Sequence, residues 1–269
     1  MTIDWAGDPS AALGLVERIA AAGVLLASLE LLSRREALRA DGLLSWEVAR
    51  LRSARLAVGA TGAVLQRLLA PPGVYVLCWL RVLAAALVIV APTGANVSAA
   101  ALLVAASISL MLMLRTSYGN DGADQMLLLV LVASASVRLI DTKDAVEYAL
   151  WFIALQCLLS YVTSGLGKLA GRSWRNGAGL VGVLNTSAYG MHRVAVALER
   201  RRWLAVLVSW AIIVTEIAFP LVLVVPDLLL AVMLAGGLAF HVASAIVMGL
   251  NSFVWAFGAT YPAIVFLAW

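Results

Sequence analysis

Long apolar runs separated by short polar stretches dominate the pattern of residues along this chain. The apolar runs lie at residues 12–32, 74–92, 96–114, 125–140, 146–167, 203–225, 227–248 and 251–268. A helix that spans a bilayer needs about 20 predominantly apolar residues, and in lipid only helices and closed barrels satisfy the backbone. The pattern therefore predicts an all-α fold, a polytopic membrane bundle of about eight transmembrane helices.

The polar stretches at residues 33–73 and 168–202 are the longest interruptions, and each is too short for a soluble domain. The first is rich in arginine and contains a short amphipathic segment at 56–70. We expect residues 33–57 to lie on an anionic membrane surface, although a docking surface for a partner would have the same composition. Residues 1–72 are thus predicted to form a first apolar helix plus an Arg-rich interfacial segment, and residues 73–269 the main membrane domain.

Composition and charge agree with a membrane protein. The chain is 63% hydrophobic and 13% charged, whereas soluble domains have about 45–50% and about 25%. Its net charge of +4 would suggest nucleic acid in a soluble protein, but most of its 19 Lys and Arg residues lie in the loops 33–72, 115–124 and 168–202. The positive-inside rule places these three loops in the cytoplasm. We therefore expect a cell-membrane protein whose partner is the lipid bilayer, with no nucleic-acid partner.

Lys168, at the end of the fifth apolar run, is the first candidate for chemistry. It is one of only two lysines in the chain, and a lysine can release a proton whereas an arginine cannot. In an apolar pocket such a lysine acts as a base. The alternative is a helix-end lysine that extends its ammonium group to the lipid headgroups.

His241 and Glu216 lie within later apolar runs, where ionisable side chains are costly and often functional. A neutral His241 would hydrogen-bond across helices at a close-packed face marked by Gly237, or would relay a proton or bind a ligand. Glu216 must be paired or protonated at that depth. Arg81 and Arg18 are its candidate partners.

Asp121, Asp124 and Gln125 open the fourth apolar run. Carboxylates in a first helical turn cap free amides and complement the helix dipole. The cluster also contains Arg115 and Tyr118, which makes it denser than capping requires, so its residues are candidates for binding a substrate or cofactor. None of the spacings typical of a metal site occurs in the chain, and no metal is expected.

Four segments, in this order, resemble the HTTM (horizontally transferred transmembrane) domain, the membrane part of vitamin K-dependent gamma-carboxylases. They are YGNDGADQM (118–126), SGLGKL (164–169) followed by WRNG (174–177), EIAFPL (216–221), and the FH pair (240–241) followed by MGLNSF (248–253). The resemblance covers roughly residues 75–265. The short bacterial members, which are similar to the membrane subunit that matures the sporulation-delaying peptide toxin, are nearest in length.

The resemblance implies a reaction and a set of site residues. In the carboxylases, a lysine in the Gly-x-x-Lys-Leu segment deprotonates vitamin K hydroquinone, oxygen converts the product to a strong base, and a glutamate side chain is carboxylated. Lys168 matches that lysine and His241 matches a histidine of the family, so both are implied to be catalytic. The residues implied to bind substrate or cofactor are Asp121, Asp124, Gln125, Trp174 and Glu216.

Two functions of different classes follow from these observations. The first is a membrane-embedded enzyme or maturation factor that acts on a peptide with a reduced naphthoquinone as cofactor and Lys168 as base. The second is a non-catalytic membrane subunit that helps a small secreted peptide mature or leave the cell, together with a small partner subunit. A transporter is a weaker alternative, because neither inverted repeats nor paired broken helices are visible in the sequence.

Overall fold

Helices account for the regular structure of the chain. The structure is a computed structural model that describes residues 7–52, 58–92, 96–116, 121–140, 142–186 and 190–269. Within these ranges eight segments are long and apolar enough to cross a membrane, and they match the eight predicted runs. The segments are Pro9–Ser33, Gly73–Val90, Asn96–Arg115, Gly122–Ile140, Asp144–Ala170, Arg202–Leu223, Asp227–Met248 and Asn251–Ala268. The predicted all-α, multi-pass fold is confirmed.

The chain folds as two units, residues 1–149 and 150–269. The helices of the first unit are α1 (Pro9–Ser33), α2 (Trp46–Arg52), α3 (Gly59–Leu69), α4 (Gly73–Val90), α5 (Asn96–Arg115) and α6 (Gly122–Ile140). A short 3-10 helix, Arg35–Leu38, follows α1. Helix α1 packs against α4 and α6, and α5 packs against α4 and α6.

Local signals explain where α1 begins, and an ion pair holds its charged residue in the bundle. Asp8 caps α1 by accepting the Ser10 N–H at 2.9 Å, and Pro9 occupies the first turn, where no N–H is needed. Glu17 is buried and accepts two hydrogen bonds from Arg138, at 3.1 and 2.8 Å. Arg138 lies in the last turn of α6.

The Arg-rich segment after α1 is attached to the bundle by a buried core. Leu38 and Trp46 pack with side chains of α1, α3, α4 and α5. Arg115, only 1% exposed, donates from Nε to the carbonyl of Leu69 and from Nη2 to the carbonyl of Leu38, both at 2.8 Å. The segment therefore folds back onto the helix ends.

The second unit begins within α7 (Lys143–Ala170). Its other helices are α8 (Arg172–Arg175), α9 (Ala178–Leu184), α10 (His192–Arg200), α11 (Arg202–Ala218), α12 (Asp227–Met248), α13 (Asn251–Gly258) and α14 (Tyr261–Ala268). The short helices α8, α9 and α10 pack on one another and on α11. Gly177 has a φ of +80°, and a Cβ there would approach Ala205 and Val206 within 3.0 Å, so a glycine is needed where α9 begins.

Two of the apolar runs are less regular than the sequence predicted. Helix α11 tightens into a 3-10 helix, Phe219–Leu223, at Pro220. The run at 251–268 was predicted to be one helix, but it is two, because the chain turns at Ala259 and Thr260 before α14 starts. Pro262 lies in the first turn of α14, where its missing N–H costs nothing.

Candidate functional site

An apolar cavity of about 580 Å³ lies within the second unit. Its volume is in the range of small-molecule sites, about 300–1,000 Å³. Most of its wall consists of Leu, Val, Ile, Met and Phe side chains from the region of α9–α13, and α7 contributes polar side chains. The polar and aromatic-polar residues in the wall are Ser160, Tyr161, Ser164, Lys168, Trp174, Glu216, His241 and Ser244. The cavity thus brings together four of the predicted site residues: Lys168, Trp174, Glu216 and His241.

Lys168 and Glu216 form an ion pair inside this cavity. The Lys168 Nζ atom lies 2.8 Å from both carboxylate oxygens of Glu216, and also donates to Ser164 Oγ. The side chains are 17% and 6% exposed, respectively. The partners predicted for Glu216, Arg81 and Arg18, were therefore wrong, since the partner is Lys168. Lys168 points into an apolar cavity and not toward open solvent.

Glycine at position 165 permits this pair. A Cβ on Gly165 would lie 2.7 Å from Ile217 and 3.0 Å from the Cβ of Glu216, so the absence of a side chain lets α7 and α11 approach closely. Lys168 and Ser164 are four residues apart and share a face of α7. The lysine side chain extends back along that face toward Ser164, as long side chains in helices do.

Trp174 covers the ammonium group of Lys168. The Lys168 Nζ atom lies 5.3 Å from the centroid of the Trp174 ring, a distance at which a cation is attracted to the ring face. Gly179 lies against the indole, where a Cβ would approach the ring within 3.1 Å. Trp174 therefore stands over the ion pair as one wall of the cavity.

His241 is the centre of a second polar group in the same cavity. Its Nε2 lies 2.7 Å from the Tyr161 hydroxyl, which in turn lies 3.2 Å from the Tyr261 hydroxyl. The predicted hydrogen bond of His241 across helices is confirmed. The ring is only 3% exposed, and its Nδ1 has no hydrogen-bond partner among the residues that the structure describes. An unpaired buried nitrogen of this kind costs free energy unless something binds it.

Aromatic rings surround this second polar group. Tyr161 stacks on Phe219 with a centroid distance of 3.9 Å, and His241 stacks on Phe257 at 4.4 Å. The predicted close packing at Gly237 is also present, because a Cβ there would lie 2.5 Å from the Tyr261 hydroxyl. This part of the cavity offers flat, apolar surfaces beside the hydrogen-bonded Tyr161 and His241 side chains, which suits a flat ring with a polar substituent.

Asp121, Asp124 and Gln125 lie in the first unit, at the start of α6. Asp121 caps the helix by accepting the backbone N–H groups of Ala123 and Asp124. Burial raises the pKa of Asp121 above its usual range, although these two hydrogen bonds oppose the shift. Asp124 is half-buried and Gln125 is exposed, and Arg81 acts electrostatically on Asp124. Tyr118 of this cluster lies outside the described residues.

Sequence reasoning missed four residues of the site: Tyr161, Ser164, Tyr261 and Phe257. Tyr161, Ser164 and Lys168 recur at intervals of three and four residues, which places them on one face of α7, and this spacing was a usable signal. Tyr261 and Phe257 had no such signal, because the turn at Ala259 and Thr260 sets their positions. His192 is exposed and lies within hydrogen-bond distance of Asn185.

Comparison with protein-family models, curated proteins and solved structures finds no match to this chain. The site is therefore interpreted from its own geometry and chemistry.

Proposed function

We propose that the chain is a membrane-embedded protein of the HTTM type that binds a reduced naphthoquinone in the cavity and uses Lys168 as a base in the maturation of a peptide. One observation carries the proposal: the wall of an apolar, ring-lined cavity contains both the Lys168–Glu216 pair and the hydrogen-bonded Tyr161 and His241 side chains. In this proposal the protein lies in the cell membrane with its three basic loops in the cytoplasm.

The residues of the cavity fit such a cofactor. The aromatic walls near His241 suit a fused ring system, and the aliphatic walls suit a prenyl chain. The Tyr161–His241 pair and the Lys168–Glu216 pair place polar side chains at two positions of the wall. Ser164 contacts Lys168, and Tyr161 contacts His241. The two residues are three positions apart, which is a rise of about 4.5 Å along a helix. The two polar groups are therefore about one helical turn apart along α7.

The ion pair explains how a lysine in this position becomes a base. A reduced naphthoquinone, when bound, would supply an acidic O–H group and two reducing equivalents. In this proposal a proton moves from the Nζ atom of Lys168 to an Oε atom of Glu216, which in apolar surroundings leaves two neutral groups and removes a buried charge pair. Lys168 Nζ then holds a lone pair and accepts a proton, while Ser164 keeps the amine in place.

The proposal is tested with purified protein in detergent, to which a reduced naphthoquinone is added in air. We expect the wild type to consume oxygen above the rate without protein. The variant Lys168→Arg keeps a cation beside Glu216 but cannot release its proton. We expect it to bind the naphthoquinone and to lose oxygen consumption by about 100-fold or more, the usual contribution of a general base.

The outcomes of this experiment are distinct. A Lys168→Arg variant as active as the wild type would contradict the role of Lys168. A wild type that binds the naphthoquinone without consuming oxygen would contradict the proposed enzymatic activity, and the cavity would then be a binding site only. The matched control is Arg172→Lys, a conservative change two residues after α7 and outside the cavity wall, which should leave both measurements unchanged.

One observation favours the second function, a non-catalytic subunit for the maturation or export of a small secreted peptide. The Lys168–Glu216 pair is satisfied by its own hydrogen bonds, as a structural pair would be. Under this alternative the double variant Lys168→Met with Glu216→Leu, which removes both charges, retains peptide export in cells. Loss of export in a double variant that folds normally would contradict the alternative.

A further inference from the structure

The basic segment of the first unit, residues 34–52, forms a fixed surface with two kinds of exposed side chain. Arg34, Arg35 and Arg39 are exposed around one open cavity. Further along, Leu43 and Leu51 are 75% and 74% exposed. Exposed leucines beside exposed arginines are typical of segments that lie in the headgroup region of a bilayer.

Buried contacts hold this segment at the level where the apolar helices end. It begins where α1 ends, and its buried side chains Leu38 and Trp46 pack on the first turns of α4 and on α5. The Trp46 indole donates to Gln66 Oε1 at 2.7 Å, and Gln66 donates to Glu47 at 2.8 Å. These contacts and the Arg115 hydrogen bonds give the outer face a defined position before any lipid binds.

The open cavity beside α1 has the charge that an anion needs. Three arginines contribute to its wall against one carboxylate, Glu36. Arg35 lies 5.9 Å from the ring centroid of Tyr75, whose hydroxyl donates to the Arg35 carbonyl, so α4 restrains this part of the backbone. Guanidinium groups bind phosphate through two parallel hydrogen bonds, and basic residues beside a span attract anionic lipids.

We propose that Arg34, Arg35 and Arg39 bind the phosphate of an anionic phospholipid, with Leu43 and Leu51 inserted among the acyl chains around it. The charge of the cavity selects an anionic headgroup, and the two leucines select a lipid over a free phosphate ion. A protein partner on this surface is the alternative that the experiment must separate.

The experiment compares dioleoylphosphatidylglycerol with dioleoylphosphatidylcholine, each added to the detergent-purified full chain and counted as bound lipid by native mass spectrometry. We expect the wild type to prefer the anionic lipid. The triple variant Arg34→Gln, Arg35→Gln and Arg39→Gln should lose affinity for it by at least about 10-fold, since each basic residue near anionic lipid contributes on the order of a fivefold factor. Inorganic phosphate alone should not compete.

Two further variants keep the test falsifiable. The triple variant Arg193→Gln, Arg200→Gln and Arg201→Gln removes the same charge from exposed positions of the second unit and should bind as the wild type does. Glu36→Gln, which removes the opposing carboxylate, should strengthen binding of the anionic lipid. Equal affinity for both lipids, or an Arg34, Arg35 and Arg39 variant that binds like the wild type, would overturn the proposal and favour a protein partner.

Discussion

The buried pair of Lys168 and Glu216 makes the two residues depend on each other for stability. Lys168→Met leaves the Glu216 carboxylate without its cation in an apolar cavity, and we expect it to lower the free energy of unfolding by about 3–5 kcal/mol. Lys168→Met combined with Glu216→Leu removes both charges and should cost much less than the single change. The measurement is unfolding of the purified protein by a denaturing detergent. If the loss of stability in the double variant equals the sum of the losses in the two single variants, the two residues are not coupled.

Two glycines on α7, Gly165 and Gly167, differ in the space that surrounds them. Gly165→Ala places a Cβ 2.7 Å from Ile217 and should push α11 away, which lowers stability by about 1–3 kcal/mol. Gly167→Ala lies two residues further along α7, where a Cβ would have nothing within 4 Å, and should be neutral or stabilising by up to about 1 kcal/mol. Thermal unfolding of both variants measures this difference in stability. Equal melting temperatures would contradict the close contact between α7 and α11.

Single residues also show how far the sequence predicts the site. Glu216 and His241 stand out in the sequence because ionisable residues in apolar runs are costly. Lys168 stands out as one of only two lysines, whereas Trp174 was implied only by the resemblance. The structure places all four in one cavity. Their pairing was not predictable, because which cation meets Glu216 depends on how closely α7 and α11 approach. That approach depends on Gly165, and a lone glycine in a helix gives no sign of its neighbour.

At the scale of elements, Arg115 connects α5 to the basic segment and to the end of α3. Arg115→Leu leaves the carbonyls of Leu38 and Leu69 without these donors, so we expect faster hydrogen exchange over residues 34–52 and 59–69. The rest of the first unit should keep its protection, because its helices pack mainly through buried apolar side chains. Arg67→Leu, at an exposed position of α3, is the control. Unchanged exchange in Arg115→Leu would show that the apolar core alone holds the segment.

The elements themselves were largely predictable, since length and hydropathy decide whether a segment spans a membrane. The break in the run at 251–268 was not recognised, although Gly258 and Pro262 lie on either side of it. The break affects the geometry of the site, because α14 begins at Tyr261, and the Tyr261 hydroxyl lies beside that of Tyr161. A continuous helix would have carried Tyr261 to another position, so the hydrogen-bonded group at His241 depends on this break.

At the scale of the whole molecule, the proposed orientation predicts which positions are accessible from outside the cell. Cys78 and Cys157 are buried, so introduced cysteines can be labelled over a low background. With the basic loops in the cytoplasm, Arg172→Cys should react with a membrane-impermeant maleimide only after the cells are permeabilised, whereas Asp227→Cys should react in intact cells. The reverse labelling pattern would place the three basic loops outside.

If the cavity of the second unit holds a ring-bearing lipid, mass spectrometry of the lipids that purify with the protein will detect it directly. We predict one naphthoquinone per chain in the wild type, and retention of it in Ala239→Trp, on an exposed part of α12 outside the cavity wall. Ala243→Trp, in the cavity wall, should lack it. Phospholipid alone in all three samples, unchanged when a naphthoquinone is added back, would show that the cavity does not hold a naphthoquinone.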